Sequence, residues 1–176
     1  VANLKEIAEG EGDLTRTLEV SSHDEVGVLA ENFNRFVARL RELSGGRPTG
    51  FKLASGHPWE WFAIAKAMQE TGILPDFIVV DGGEGGTGAA PLEFTDHVGA
   101  PMREALLLVH NTLVGLDLRS KVSVGAAGKI VTAFDIARTM AIGADWCNSA
   151  RGFMFALGCL QAQTCHSGHC PTGVTT

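Results

Sequence analysis

The sequence predicts an α/β fold built on a parallel β-sheet. Four short segments suited to buried strands alternate along the chain with segments in which apolar residues recur at helical spacing. One of these strands, at residues 77–80, is wholly apolar and mostly β-branched, which is typical of a strand buried on both faces. Successive strand–helix units predict parallel strands joined by right-handed crossovers. Both a doubly wound sheet and a segment of a (β/α) barrel satisfy this pattern.

Residues 1–44 differ in character from the rest and predict a helical segment. Ser22 and Glu25 fit a capping box, in which the serine caps the first turn of a helix and the glutamate reaches back to it. Apolar residues then follow at three- and four-residue steps, a heptad stripe suited to pairing with another helix. The stripe consists of Val26, Leu29, Phe33, Phe36, Leu40 and Leu43. The alternative is an ordinary amphipathic helix that packs on its own domain.

The second region, residues 45–176, opens with a glycine-rich linker at 45–50 and then alternates between strands and helices. Strands are predicted at residues 51–54, 77–80, 122–124 and 145–148. Pro58 suits the first turn of a helix, and Gly72 and Gly143 suit helix ends. The apolar stripes of the helices are Trp61, Ile64, Ala65 and Met68; Met102, Ala105, Leu106, Val109 and Leu113; and Ala133, Ile136, Ala137 and Met140. A further apolar segment, residues 153–160, follows the last strand.

Composition places the chain among globular proteins and argues against several functions. Of its 176 residues, 45% are hydrophobic and 19% are charged, as expected for a packed core. The net charge of -6, without a long basic run, argues against a nucleic-acid-binding surface. Four cysteines without a visible secretory signal favour a reducing, cytoplasmic setting. The chain starts without methionine, so we expect a fragment of a longer protein.

Three clustered cysteines are the strongest candidate for a metal centre. Cys159, Cys165 and Cys170 follow a C-x5-C-x4-C pattern, and a proline comes directly after the last. Thiolate is a soft ligand, and this spacing suits a loop around an iron–sulfur cluster or zinc. His166 and His169 also allow a mixed zinc site, and three reduced core cysteines are a further alternative. The remaining cysteine, Cys147, lies in an apolar run and is predicted to be a buried thiol.

A glycine-rich loop, residues 81–89, directly follows the apolar strand. Such a loop lets backbone N–H groups approach a ligand closely. Gly83, Gly85 and Gly88 match the G-x-G-x-x-G dinucleotide fingerprint, but that fingerprint needs a helix that begins at the glycines. Pro91 and an aperiodic stretch follow instead, so a nicotinamide site is disfavoured.

Several short sequence motifs in residues 52–176 resemble those of the FMN-binding domain of glutamate synthase. They occur in the order and at the distances of that family: Lys52-Leu53, Gly85-Gly86-Thr87-Gly88-Ala89, Val109-His110, Leu118-Arg119, Gly158-Cys159, Cys165-His166 and Cys170-Pro171. Of the doubly wound sheet and the barrel segment, the resemblance favours the barrel. It implies a (β/α) parallel half-barrel, equivalent to strands five to eight of a TIM barrel. A complete barrel takes roughly 250 residues, so the first four units are not part of this sequence.

The resemblance also implies two cofactors and a set of binding residues. Cys159, Cys165 and Cys170 would hold a [3Fe-4S] cluster. Lys52 would be catalytic, with its ammonium near the flavin N1–C2 carbonyl, where it stabilises the reduced ring. The FMN-binding residues would be Lys52 and the glycine loop, Gly85, Gly86, Thr87 and Gly88, with the phosphate in the loops after strands seven and eight, at Gly128, Lys129, Ala150 and Arg151. His110 is expected to be a structural hydrogen-bond donor.

The reaction implied by the resemblance is reductive amination. 2-Oxoglutarate and ammonia, which can derive from glutamine, would form an imine that reduced FMN converts to glutamate. Electrons would arrive through the cluster from ferredoxin or a reductase subunit. Four parallel strands leave two edges without partners, so we expect the isolated chain to be inactive and any ordered form to be a homodimer.

A second resemblance, in the first region, offers an alternative function. Residues 12–15 and 24–27, with Phe33-Asn34, resemble part of a HAMP linker of bacterial receptors. The chain would then be a signalling or dimerisation module fused to a non-catalytic barrel fragment. It would lie on the cytosolic side of a membrane protein if the HAMP-like parent were complete.

Overall fold

The structure is a computed structural model that describes residues 25–83, 93 and 97–175. Its helices are α1 (Glu25–Ser44), α2 (Pro58–Thr71), α3 (Met102–Gly115), α4 (Ala133–Ile142) and α5 (Ala150–Ala156). Its strands are β1 (Gly50–Ala54), β2 (Phe77–Asp81), β3 (Ser123–Ala127) and β4 (Trp146–Asn148). A 3₁₀ turn at Cys165–Ser167 follows α5.

The four strands form one parallel sheet in the order β1-β2-β3-β4. Each strand therefore lies beside the next one along the chain, as in a barrel. The pairing registers place Ala54, Asp81, Ala127 and Asn148 in one row across the sheet. Because all four strands run the same way, this row marks the carboxyl edge of the sheet.

Helices cover one face of the sheet. Ile78, Val80, Val124 and Ala126 point to this face and pack with the apolar stripes of α2 and α3. The stripes contribute fully buried Trp61, Met68, Leu106, Val109 and Leu113. Alternating helices on one face and a sequential strand order confirm the predicted α/β half-barrel and argue against a doubly wound sheet, which has helices on both faces.

The opposite face, called here the open face, carries an aromatic pair. Phe77 and Trp146 meet edge to face with their ring centroids 5.9 Å apart. Both rings lie over glycines, because a Cβ atom at Gly50 or Gly125 would overlap the ring of Phe77 or Trp146, respectively. This face corresponds to the inner face of a barrel.

Helix ends follow the local signals in the sequence. The N–H of Gly72 donates to the carbonyl of Met68 at 3.0 Å, and Gly72 has a left-handed φ of 68° that ends α2. Thr132 and Asp135 form a reciprocal capping box at the start of α4, with hydrogen bonds of 3.0 and 3.1 Å. Among the described helices, none is long and apolar enough to cross a membrane.

Several predicted boundaries are wrong. β3 continues through Gly125, Ala126 and Ala127, which were expected in a loop, because small side chains leave room for the ring of Trp146 on the open face. The last helix covers Ala150–Ala156, so two residues expected in the loop after β4, Ala150 and Arg151, lie in its first turn. Gly50, predicted in the linker, begins β1.

Helix α1 packs on its own domain through a residue outside the predicted heptad stripe. Val37 is 2% exposed, and Arg41 donates a hydrogen bond of 2.8 Å to the carbonyl of Leu74. Phe36 and Leu43, which belong to the stripe, are 47% and 70% exposed. The alternative of an amphipathic helix packed on its domain therefore describes this part of α1. The helix-start signal at Ser22, the side chains of Val26, Leu29 and Phe33, and the HAMP-like residues 12–15 lie outside the described residues.

Candidate functional site

Lys52 lies on the open face near the carboxyl edge and faces Asp81. The Lys52 Nζ atom is 2.5 Å from Oδ2 of Asp81, and the two side chains are 58% and 30% exposed. Lys52 stands opposite Val79 in the register, so Asp81 is the diagonal neighbour toward the carboxyl edge. The Lys52 side chain is thus directed along the open face toward the edge where ligands of parallel sheets bind.

Asp81 was not singled out by the sequence analysis as a functional residue. Its second oxygen, Oδ1, accepts the N–H of Gly83 at 3.0 Å, so one carboxylate contacts both Lys52 and the start of the glycine loop. The sequence feature that could have identified Asp81 is its position, because it is an acidic residue directly after the apolar run at residues 77–80. The glycine-loop residues Gly85, Gly86, Thr87 and Gly88 lie outside the described residues, and their predicted role in FMN binding stays a prediction.

The segments after β3 and β4 contact each other at the same edge. The Ser149 hydroxyl donates to the carbonyl of Ile130 at 2.8 Å. A Cβ atom on Gly152 would lie 2.7 Å from the carbonyl oxygen of Val131. The segment that contains the predicted phosphate-binding Lys129 therefore adjoins the first turn of α5, which contains Arg151.

Gly128 joins the segment after β3 to the end of β2. It has a φ of 137°, and a Cβ atom there would lie 3.3 Å from the backbone nitrogen of Gly82 and 3.1 Å from Cβ of Met102. The N–H of Gly82 also donates to the carbonyl of Ala127 at 2.9 Å. The positive φ and this close backbone approach both favour glycine at position 128. Lys129 follows with a φ of 48°. Lys129 and Arg151 thus belong to two segments that adjoin at the carboxyl edge of the sheet.

Cys159, Cys165 and Cys170 all line one pocket, which is partly open to solvent. All three are half-buried, and none of them forms a disulfide. His166 and His169 are not among the residues that line this pocket, and Nδ1 of His169 lies 2.7 Å from the carbonyl of Ser167. Within the described part of the chain, no group of three His, Cys, Asp or Glu side chains is arranged closely enough to hold a metal ion.

The cysteines differ in their tendency to ionise. Hydrogen bonds from the Thr172 hydroxyl and from the N–H groups of Thr175, Thr172 and Val174 lower the pKa of Cys170 to about 6. Burial instead raises the pKa of Cys147, which packs against the hydrophobic core. Because the thiolate is the form that binds metals, Cys170 suits ligation, whereas Cys147, predicted to be buried, is half-buried and packs against the core.

A polar cluster on the helix side ties α3 to β3 and the end of α4. Nε of Arg119 donates to Nδ1 of His110 at 3.2 Å, and its Nη2 donates to the carbonyl of Gly143 at 2.9 Å. The same Nη2 lies 2.8 Å from Oδ1 of Asp145. His110 thus has a structural role, but as a hydrogen-bond acceptor rather than the expected donor.

Comparison with known proteins identifies the family. A family model described as the conserved region in glutamate synthase matches residues 1–176. The chain belongs to the glutamate synthase family. The match includes residues 1–44, so it gives no support to a HAMP segment there.

Two relatives illustrate the extent of the similarity to glutamate synthases. The chain is 46% identical over 141 residues to the glutamate synthase large subunit-like protein YerD of Bacillus subtilis, a match that covers 80% of this chain and 27% of YerD. It is 34% identical over 163 residues to an archaeal-type glutamate synthase (NADPH) of Thermotoga neapolitana, which covers 92% of this chain and 31% of that protein. The chain thus spans less than a third of the length of these relatives.

Two further similarities are to a ferredoxin-dependent enzyme and to a solved structure. A ferredoxin-dependent glutamate synthase of Antithamnion is 42% identical over 101 residues, covering 57% of this chain and 7% of that protein. A FabK mutant from Thermotoga maritima superposes with a TM-score of 0.46 and 19% identity, covering 73% of this chain and 39% of that one.

Proposed function

We propose that this chain forms part of the flavin and iron–sulfur centre of a glutamate synthase. Bound FMN would supply the hydride that reduces the imine of 2-oxoglutarate and ammonia to glutamate. The observation that carries the proposal is the position of Lys52 on the open face, beside Asp81 and at the edge where the loops meet. The family match and the relatives named glutamate synthase support the same activity.

Lys52 would hold its ammonium near the N1–C2 carbonyl of the flavin. A positive charge there stabilises the negative charge of the reduced ring. Gly85, Gly86, Thr87 and Gly88 would contact the flavin through backbone N–H groups, since a glycine loop allows close approach.

The phosphate of FMN would lie against the segments after β3 and β4. Gly128, Lys129, Ala150 and Arg151 would form this part of the site. The contacts Ser149–Ile130 and Gly152–Val131 support this assignment, because they bring the two segments together. Barrels commonly bind phosphate at the corresponding loops.

The cluster-binding residues would be Cys159, Cys165 and Cys170, around a [3Fe-4S] centre. Their shared pocket and the lowered pKa of Cys170 fit a site of thiolate ligands. The electron donor would be ferredoxin or a reductase subunit, in line with relatives named for ferredoxin or NADPH. The nitrogen would come from ammonia or glutamine, and the chain would act in the cytoplasm. No observation favours the alternative of a HAMP-type signalling module.

Titration of the purified 176-residue chain with FMN, followed by quenching of flavin fluorescence, tests the proposal. We expect saturable binding that weakens about tenfold in Lys52→Ala, because one charge-assisted contact is lost. Lys66→Ala is the matched control, since Lys66 lies on α2 with similar exposure and pairs with Glu70 at 3.5 Å. Absence of FMN binding, or equal weakening by both variants, would argue against the proposed site.

A further inference from the structure

We infer that Asp81 is a positioning residue that holds the Lys52 ammonium at the carboxyl edge of the sheet. The inference rests on the proposed function, because it concerns the orientation of the lysine proposed to face the flavin. Asp81 belongs to none of the motifs that carry the family resemblance. The basis of the inference is the pair of contacts that the Asp81 carboxylate makes.

The two oxygens of Asp81 have different partners. Oδ2 contacts the Lys52 ammonium at 2.5 Å, whereas Oδ1 accepts the N–H of Gly83 at 3.0 Å. The second contact closes a turn between a side chain and the backbone two residues on, which fixes the plane of the carboxylate. Lys52 is therefore held by a group that is itself oriented by the backbone.

The backbone on which Asp81 stands is also anchored. Asp81 is the last residue of β2 and is paired with Ala54 on one side and Ala127 on the other. The next residue, Gly82, donates its N–H to the carbonyl of Ala127 at 2.9 Å. Paired strands on both sides thus leave the Asp81 backbone little freedom to move.

Lys52 needs such a partner in order to adopt one orientation. Its side chain is 58% exposed and has a long, flexible stem. The residues in its row across the sheet are Val79, Gly125 and Trp146. Val79 and Gly125, the nearer two, have no side-chain group that accepts a hydrogen bond. An exposed ion pair contributes little to stability, so the main consequence of this contact is the direction of the ammonium.

Asp81→Asn is the sharpest variant for a test. Asparagine keeps an oxygen that can accept the Gly83 N–H but lacks the charge that holds the ammonium. Asp81→Ser, whose hydroxyl can accept the same N–H, serves if the first variant does not fold. Glu70→Gln is the matched control, because it removes the carboxylate that pairs with Lys66 at 3.5 Å on the exposed side of α2.

The first measurement is ¹³C relaxation at Cε of Lys52 in lysine-labelled protein, which needs no flavin. We expect the Cε order parameter of Lys52 to fall in Asp81→Asn, to the value that Lys66 has in Glu70→Gln. The Glu70→Gln substitution should leave the order parameter of Lys52 unchanged. Unchanged order at Lys52 in folded Asp81→Asn would overturn the inference. Because this result is independent of FMN, a wild-type chain that binds no FMN would remove the proposed function without deciding the role of Asp81.

The second measurement is FMN affinity in a double-variant cycle. If Asp81 acts through Lys52, Asp81→Asn weakens FMN binding about threefold in the wild-type background and has almost no effect in a Lys52→Met background. A purely structural role would give the same loss in both backgrounds. Equal losses would therefore overturn the inference even if FMN binds as proposed.

Discussion

The Arg119 guanidinium and the Asp145 carboxylate form the polar link between α3, β3 and β4. Nη2 of Arg119 lies 2.8 Å from Oδ1 of Asp145, while Oδ2 of Asp145 accepts the N–H of Val124 at 2.7 Å. Asp145 directly precedes β4, and Arg119 follows α3. The pair thus holds the amino end of β4 beside β3, on the side of the sheet away from the candidate site.

Replacement of Asp145 by Asn should destabilise the fold in a pH-dependent way. Burial raises the Asp145 pKa, but the hydrogen bonds from Arg119 and Val124 and the charge of Arg119 together bring it below the ordinary 3.8. A lowered folded-state pKa stabilises the fold above pH 3.8, and this contribution is lost as pH falls through the folded-state pKa. The side chain is 44% exposed, so solvent screening limits the effect to about 1 kcal/mol.

Urea unfolding of wild type and Asp145→Asn near neutral pH and at about pH 3 measures this difference. We expect the gap in free energy of unfolding to be present near neutral pH and to shrink in acid. Glu70→Gln, which breaks an exposed pair at 3.5 Å, should change stability by less than about 0.5 kcal/mol. A gap that does not vary with pH would show that the ionisation of Asp145 is not its cause.

Gly143 is expected to be intolerant of a side chain. It has a φ of 137°, and a Cβ atom there would lie 2.6 Å from Cγ of His110. Gly143→Ala should therefore lower the free energy of unfolding by more than about 1 kcal/mol, through backbone strain and the clash. Gly115→Ala is the control, because Gly115 lies at the end of α3 with open space around its Cα and should gain up to about 1 kcal/mol. Equal stability of the two variants by thermal unfolding would contradict the predicted contact.

The cysteine pocket should bind iron and sulfide. Anaerobic reconstitution should produce broad visible absorption, because Cys159, Cys165 and Cys170 line one pocket. The absorption should disappear when all three are changed to Ser and persist in Cys147→Ser, since Cys147 packs against the core. Metal and sulfide analysis provides the check: stoichiometric zinc without sulfide in the purified chain would count against an iron–sulfur cluster.

The local parts of this fold could be predicted from the sequence, whereas the contacts between distant residues could not. Gly72 and Gly143 marked helix ends because a residue that tolerates positive φ is a local signal. β3 was cut short because Gly125 and the alanines after it have low strand propensity, and only the ring of Trp146 explains their place in the sheet. Tertiary packing rather than local propensity therefore determines where β3 ends.

In the candidate site, too, residues close together in the sequence could be predicted and contacts between distant residues could not. The three cysteines were found because they lie close together in sequence, and the structure places them around one pocket. The partner of Lys52 was not found, since Asp81 lies on another strand and the sequence does not contain the strand order. The Arg119–Asp145 pair was missed for the same reason, as its members are 26 residues apart.

The last prediction is that the chain self-associates through the open face. Phe77, Val79 and Trp146 share this face, and in the described part of the chain helices cover only the opposite one. β1 and β4 each pair on one side within the described sheet. A two-fold axis parallel to the strands would place β4 of one copy beside β1 of another, in parallel, and would enclose the aromatic pair.

Ser123→Lys tests this arrangement without disturbing the core. Ser123 is exposed, and its register with Phe77 places it on the open face. A lysine there would bury its charge inside a closed assembly, so dimerisation should weaken at least about tenfold. Gln69→Lys adds the same charge at an exposed position of α2, on the helix layer, and should leave association unchanged. Sedimentation equilibrium at increasing concentration measures both. A wild-type chain that stays monomeric with strongly protected strand amides, or a dimer equally sensitive to both substitutions, would exclude the open face as the interface.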